Sequence, residues 1–175
     1  MGKITPHHQA QSEVPLTAPA ALDPSPDTSA FDCNKPPLTD WLRLQAIKNE
    51  GKGSRTYVVC DGKRVIGYYA IAAGAVERAR APSNIARNMP DPVPVLVIGR
   101  LAVDRTYWGK RIGEGLLKDA LKRALQASRE IGARAVLVHA IDDDAVGFYL
   151  QYKFKPFPTD ARTLYLPIAH IVAVL

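Results

Sequence analysis

Cysteine is scarce in this 175-residue chain, which holds only Cys33 and Cys60. Two thiols cannot build the disulfide framework of a small secreted fold, so a reduced, cytoplasmic setting is the simplest reading. No apolar run approaches ~18 residues, which argues against a membrane span. No charged n-region followed by an apolar h-region opens the chain, so no secretory signal is read there. Nothing repeats along it, which removes solenoids and propellers. His7-His8 has no partners at metal-ligand spacing, and helix capping accounts for the acidic run Asp142-Asp143-Asp144. No metal site is therefore expected.

What the chain does have is cationic charge, unevenly placed. Residues 1–40 carry two basic and five acidic side chains, whereas residues 41–135 carry eighteen Lys and Arg against eight Asp and Glu. An excess of that size attracts polyanions such as nucleic acid or nucleotide cofactors. A merely solvated surface would show the same composition. The length suits one domain with its own core.

Residues 1–30 are rich in Pro, Ala, Ser and Thr and read as a tail or loosely docked segment, ahead of a folded domain over 31–175. Thr39 is the expected N-cap of a helix reaching Asn49. Two strand patterns, Arg55–Cys60 and Arg64–Ala73, flank the hairpin signal Asp61-Gly62. Residues 80–93 form a long, proline-interrupted basic loop. A strand is expected over Val95–Val103, because Pro92 and Pro94 are poor ladder members. A helix follows from about Gly113 to Glu130, with Leu116, Leu117, Ala120, Leu121, Ala124 and Leu125 on one stripe. A strand over Ala135–Ala140, a helix capped by the Asp run through Gln151, and a strand near Thr163–Leu166 complete the order. This is a mixed α/β sheet flanked by helices, not a TIM barrel or a doubly wound domain.

The chemistry concentrates between Val93 and Ala124. An apolar strand ends at Asp104, and a turn with Gly109, Gly113 and Gly115 leads into the long helix. Glycines let main-chain N–H groups approach a ligand. Lys110 and Arg111 add cations, and the helix N-terminus adds a partial positive charge. Together these make a pyrophosphate cradle beside a strand edge, a shape that suits coenzyme A.

Two motifs resemble those of the GNAT acetyltransferase superfamily. Trp108-Gly109-Lys110-Arg111-Ile112-Gly113 is similar to its cofactor signature Gln/Arg-x-x-Gly-x-Gly/Ala, with Trp108 in place of Gln/Arg and Arg111 in place of the first signature Gly. Arg111 must then avoid positive φ or accept modest strain. Ala145-x-x-Phe148-Tyr149-x-x-x-Lys153-Phe154 is similar to the downstream Ala-x-x-Phe/Leu-Tyr-x-x-x-Gly-Phe, with Lys153 where Gly is usual and Asp142 where many members carry Asn. Over residues 31–170 the segments FDCNKPPLTDWL, SRTYVVCDGKRVIGYYAIAAG, NMPDPVPVLVIGRLAVD and HAIDDDAVGFYLQYKF resemble the GNAT toxins of bacterial toxin–antitoxin systems.

The resemblance implies the acyl-CoA N-acyltransferase fold, with fourth and fifth strands that splay apart. It implies acetyl-CoA as co-substrate, with backbone groups of Leu101, Ala102 and Val103 pairing with its pantetheine arm. N–H groups around Gly109–Gly113 would hold the pyrophosphate, and Trp108, Lys110, Arg111, Ile112, Glu114 and Asp142 are counted among the cofactor-binding residues. It makes Tyr149 the acid that protonates the departing thiolate, although a tyrosine at that helical position is otherwise an ordinary core residue. The implied acceptor is the free α-amino group of aminoacyl-tRNA. The implied partners are a ribbon-helix-helix antitoxin, through which alone operator DNA would be bound, and a second copy in a homodimer. An α-amino group titrates near pH 8, and lower when its carboxyl is esterified, so no strong catalytic base is required. Candidate tRNA contacts are Arg78, Arg80 and Arg87, which flank or lie in the long loop, then Arg43, Lys48, Lys52 and Arg55, all phosphate-led because no aromatic RNA-binding motif is present. The alternatives are a GNAT enzyme for a small amine or protein N-terminus, and a non-catalytic cofactor-binding or docking module.

Overall fold

A computed structural model describes residues 16–175. Its centre is one seven-stranded sheet in the order β1-β2-β3-β4-β5-β7-β6. The strands are β1 (Ala20–Ala21), β2 (Arg55–Asp61), β3 (Arg64–Val76), β4 (Val93–Val103), β5 (Ala135–His139), β6 (Lys155–Phe157) and β7 (Asp160–Pro167). Only β4 and β5 are parallel, and their pairing starts at Val95↔Ala135 and stops at Ile98↔Val138. Beyond that point β4 runs on to Val103 with no partner on its β5 side, while its other edge stays paired with β3 through Val103↔Gly67. The splay expected of the family is thus present. Gly99 is the extra residue of a bulge in β4, between Ile98↔Ile71 and Arg100↔Ala70.

One face of the sheet is covered by α4 (Ile112–Glu130) and α5 (Asp143–Gln151). The stripe on α4 buries Leu116, Leu117, Ala120, Leu121 and Ala124 against Ile66, Tyr69, Ile98 and Val138. Each leucine buried there contributes roughly 1.5–3 kcal/mol. The helix meets β3 closely at Gly67, where an added Cβ would lie 3.1 Å from Leu116 Cδ1. The other face carries a helical segment in three parts: α1 (Pro36–Asp40), a wider turn over Trp41–Gln45, and α2 (Ala46–Asn49). It packs Leu42 and Ala46 onto Phe31, Tyr68 and Ala102. A short α3 (Ser83–Ala86) sits inside the long loop because Ile85 is fully buried against Val93 and Val95.

Several boundaries move, each for a local reason. Pro36 and Pro37 start the first helix, since a first helical turn needs no N–H, and Thr39 lies inside it rather than at its N-cap. The Thr39 hydroxyl accepts from the Cys33 amide at 3.1 Å. The hairpin turn is Gly62-Lys63, because Asp61 pairs with Arg64. Pro94 does belong to β4, opposite Ala75. Ahead of Phe31 the chain is already part of the sheet. β1 pairs with β2, Leu22 is buried, and Asp27 bridges to Arg64. The histidine pair His7-His8 lies outside the described residues.

Candidate active site

The open edge of β4 forms one wall of a cavity of about 690 Å³. Leu101, Ala102 and Val103 line it from the strand, with Trp108 and Gly109 from the following turn and Arg111, Ile112, Gly113 and Glu114 from the start of α4. Ala145, Phe148, Tyr149 and Tyr152 of α5 close the far side. A Cβ added at Gly113 would lie 3.7 Å from the Phe148 ring, so the two helices converge on the turn. The expected cofactor residues are brought together with two exceptions. Lys110 is not in the wall; its ammonium sits over the Tyr107 ring, 5.2 Å from the centroid. Asp142 is not in the wall either: its carboxylate accepts the Ala145 amide at 2.9 Å, capping α5, and pairs with Lys35 at 3.0 Å. The Ala145 amide first, and Lys35 second, hold the Asp142 carboxyl below the usual carboxylate range.

The turn needs left-handed backbone, and it takes it at two places. Gly109 has φ +80° and Arg111 has φ +59°. Arg111 therefore accepts the strain that the sequence posed as one of two choices. Lys153, at the other signature Gly position, does the same with φ +68°. Such residues cost about 1–3 kcal/mol each when they are not glycine. Trp108 is 54% exposed, and its indole N–H donates to the Val103 carbonyl at 2.9 Å. The last β4 carbonyl before the turn is thereby held by the residue standing at the Gln/Arg position.

Below the turn lies a buried knot that sequence reasoning missed. Asp104 is 1% exposed and accepts from the Asp32 amide, the Thr106 amide, the Thr106 hydroxyl and Arg64. Burial opposes its ionisation, but the Thr106 and Asp32 donors and Arg64 outweigh it and keep the carboxyl below its ordinary value. Tyr107 donates to Asp61, which raises the phenol above its usual range. Cys33, Lys35 and Leu38 also reach the cavity from the other face of the sheet. Lys35 and its partner Asp142 are 107 residues apart. No spacing signal in the sequence links such a pair.

Tyr149 is 5% exposed, lies in the cavity wall, and makes no hydrogen bond to another described residue. Burial alone drives its phenol upward, so it keeps its proton at any physiological pH. Its ring packs on Phe148 and Phe154, at 5.2 and 5.5 Å between centroids. The arrangement offers an open strand edge, a cradle of amides and cations, and a protonated phenol with its hydroxyl uncommitted.

The basic candidates divide into two groups. Arg78, Arg80 and Arg87 are exposed at the opposite end of β4, roughly 26 Å along the strand from Leu101 at about 3.3 Å per residue. Arg78 and Arg87 line a separate open hollow there. Arg43, Lys48 and Lys52 are exposed on the helical segment and the turn after it. Arg55 is exposed and pairs with Glu50 at 3.5 Å. Among the described residues no group of three His, Cys, Asp or Glu side chains gathers as a metal site. No described helix is long and apolar enough to cross a membrane.

The model of the Acetyltransferase (GNAT) family matches residues 21–154. The chain is 46% identical over 151 residues to the tRNA-acetylating toxin of Mycobacterium tuberculosis, a match spanning 86% of this chain and 91% of that protein. Among solved structures it superposes with a TM-score of 0.83 on AtaT complexed with acetyl-methionyl-tRNAfMet, at 27% identity, covering 91% of this chain and 99% of that one. With a TM-score of 0.79 it superposes on a tyrosine-to-phenylalanine mutant of AtaT bound to acetyl-CoA and the C-terminus of the antitoxin AtaR, at 27% identity and covering 92% and 98%. Sheet, cradle and comparisons agree: the chain belongs to the GNAT acetyltransferase family.

Proposed function

We propose that this protein is a cytoplasmic toxin that transfers the acetyl group of acetyl-CoA to the free α-amino group of aminoacyl-tRNA and so blocks translation, and that a cognate antitoxin neutralises it. The observation that carries the reading is the single cavity that joins the open β4 edge, the Gly109–Gly113 cradle and Tyr149. The relationship to the tRNA-acetylating toxin supports the acceptor, and the AtaT complexes support the antitoxin. A ribbon-helix-helix antitoxin, operator DNA bound through it, and a homodimer belong to the same reading.

The residues present fit acetyl-CoA. β4 leaves five residues past Ile98 unpaired on one edge, so those backbone groups of Leu101–Val103 that face this edge can pair with an amide-bearing arm, apart from the Val103 carbonyl, which Trp108 holds. Amides at Gly109 to Gly113, the Arg111 side chain and the N-terminus of α4 offer donors and positive potential to a pyrophosphate. When bound, acetyl-CoA supplies the activated acyl thioester. The chain itself then has two tasks. It must admit a neutral amine, which the low pKa of an aminoacyl ester makes abundant near pH 7. It must also hold a proton for a thiolate, and Tyr149, a protonated residue of the cavity wall, is the acid in this reading.

The test is transfer of labelled acetyl from acetyl-CoA to a pool of freshly charged total tRNA, beside the same pool deacylated. Label in the charged pool alone is the expected result. Label in neither, with acetyl-CoA still bound, overturns the acceptor and moves the search to small amines and protein N-termini.

A further inference from the structure

A second, smaller cavity of about 250 Å³ lies on the face of the sheet that carries α1 and α2. Its floor is made of small residues, Ala70 and Ala72 of β3 and the bulged Gly99, with Gly53 at the rim. Its one cationic wall is Arg100. The Arg100 guanidinium lies over the Trp41 indole, 4.3 Å from its centroid. That indole also stacks on Tyr68 at 5.9 Å and 12°, and the Tyr68 hydroxyl donates to the Leu38 carbonyl at 2.7 Å. The support under Arg100 is therefore rigid. Among the described residues no carboxylate pairs with Arg100. A half-buried guanidinium fixed by stacking, facing a cavity and lacking a counter-ion, is a receptor for an anion.

Its position selects the anion. Arg100 precedes Leu101, and Leu38 lies one turn before Trp41; both Leu101 and Leu38 line the cavity assigned to acetyl-CoA. The two cavities are thus lined by neighbouring residues of β4 and of the helical segment, beside the stretch of β4 where an acceptor amine must arrive. An amino acid esterified to tRNA has lost its own carboxylate, so the nearest backbone anion to its amine is the phosphodiester at the tRNA 3′ end. We propose that Arg100, held flat by Trp41, binds a phosphodiester of the single-stranded 3′ end of charged tRNA. The exposed Lys52, on the turn that forms the rim, continues the positive track outward. This rests on charged tRNA being the acceptor.

The experiment compares two acceptors carrying the same α-amine, charged tRNA and an amino-acid methyl ester, with wild type, Arg100→Gln, Arg100→Lys and Trp41→Leu. In Arg100→Gln the KM for charged tRNA is expected to rise about ten- to hundredfold, the loss of one charge-assisted phosphate contact. The KM for acetyl-CoA and turnover of the methyl ester stay unchanged. The slope of log kcat/KM against log salt becomes shallower by about 0.7, one single-strand phosphate. Arg100→Lys and Trp41→Leu keep that slope and lose part of the affinity, because the charge remains but is no longer held flat. An unchanged KM for charged tRNA with an unchanged salt slope overturns the proposal. So does an equal loss with the methyl ester, which would assign Arg100 to the amino acid or to the fold. If Arg100→Gln no longer binds acetyl-CoA it has misfolded, and Trp41→Leu decides: a raised KM for charged tRNA with unchanged turnover of the methyl ester supports the proposal, and an unchanged KM or an equal loss with the methyl ester overturns it. A wild type that acetylates the methyl ester but never charged tRNA removes the functional reading itself, a result distinct from indifference of Arg100.

Discussion

The two cavities are built on opposite logics. The one assigned to the cofactor is made largely of backbone: an unpaired strand edge, a turn with two left-handed residues, and a helix N-terminus. The one on the α1 face is made of side chains, with a guanidinium stacked on an indole that is stacked on a phenol. Backbone sites bind what all members of a family share, because the main chain is the same whatever the sequence. Side-chain sites carry what differs between acceptors. The comparison predicts that substitutions in the first cavity change the use of acetyl-CoA or turnover, and those in the second change only the acceptor.

Tyr149 is the exception that tests this division most strongly, since it is a side chain in the backbone-built cavity. Tyr149→Phe removes only an oxygen. It is expected to lower kcat by about 10²–10⁴-fold, the usual contribution of a positioned acid, while acetyl-CoA affinity is kept. Equilibrium binding of acetyl-CoA beside single-turnover transfer checks both halves. A variant of normal turnover would return Tyr149 to its role as a core aromatic between Phe148 and Phe154.

Asp104, at the end of β4 next to the first cavity, gives the next largest effect. It ties the end of β4 to the segment around Asp32 and to Arg64 of β3. Asp104→Ala leaves three donors and the Arg64 guanidinium without their acceptor, and is expected to cost about 3–5 kcal/mol of stability. Asp104→Asn should cost less and sharpen the comparison through pH. The folded carboxyl titrates below its unfolded value, so its contribution is present above about pH 4 and is lost as pH falls through the folded pKa. Unfolding midpoints in denaturant between pH 3 and 6 should fall steeply in wild type and flatten in Asp104→Asn. Parallel slopes would remove Asp104 as the cause.

The same contrast explains what the sequence disclosed. β4, its turn and α4 are contiguous, and their signals are local: an apolar run, glycines, then a 3.6-residue stripe. The wall of the cavity on the β4 edge was therefore legible nearly residue by residue. Lys35 with Asp142, and Trp41 with Arg100, meet only because the sheet order brings distant segments together, and no spacing records that. In the segment before Phe31, the Pro, Ser and Thr content hides one buried anchor, Leu22, and two pairing residues, Ala20 and Ala21. β6 escaped because three residues containing Pro156 carry no alternation.

Arg111 and Lys153 provide the smallest test and the cleanest one. Both stand at signature Gly positions, both adopt positive φ, and only Arg111 lines the cavity. Replacing either by Gly relieves left-handed strain and returns part of the gain as extra freedom in the unfolded chain, for a net stabilisation of about 1 kcal/mol. In a chain of this size that raises Tm by about 2–4 °C. The two variants should then part company. Lys153→Gly keeps its KM for acetyl-CoA, whereas Arg111→Gly, having lost a cation from the cradle, raises it severalfold. Equal KM values in the two would mean that the amides and the helix N-terminus hold the pyrophosphate unaided, and that the Arg111 side chain, 88% exposed, is no part of the grip.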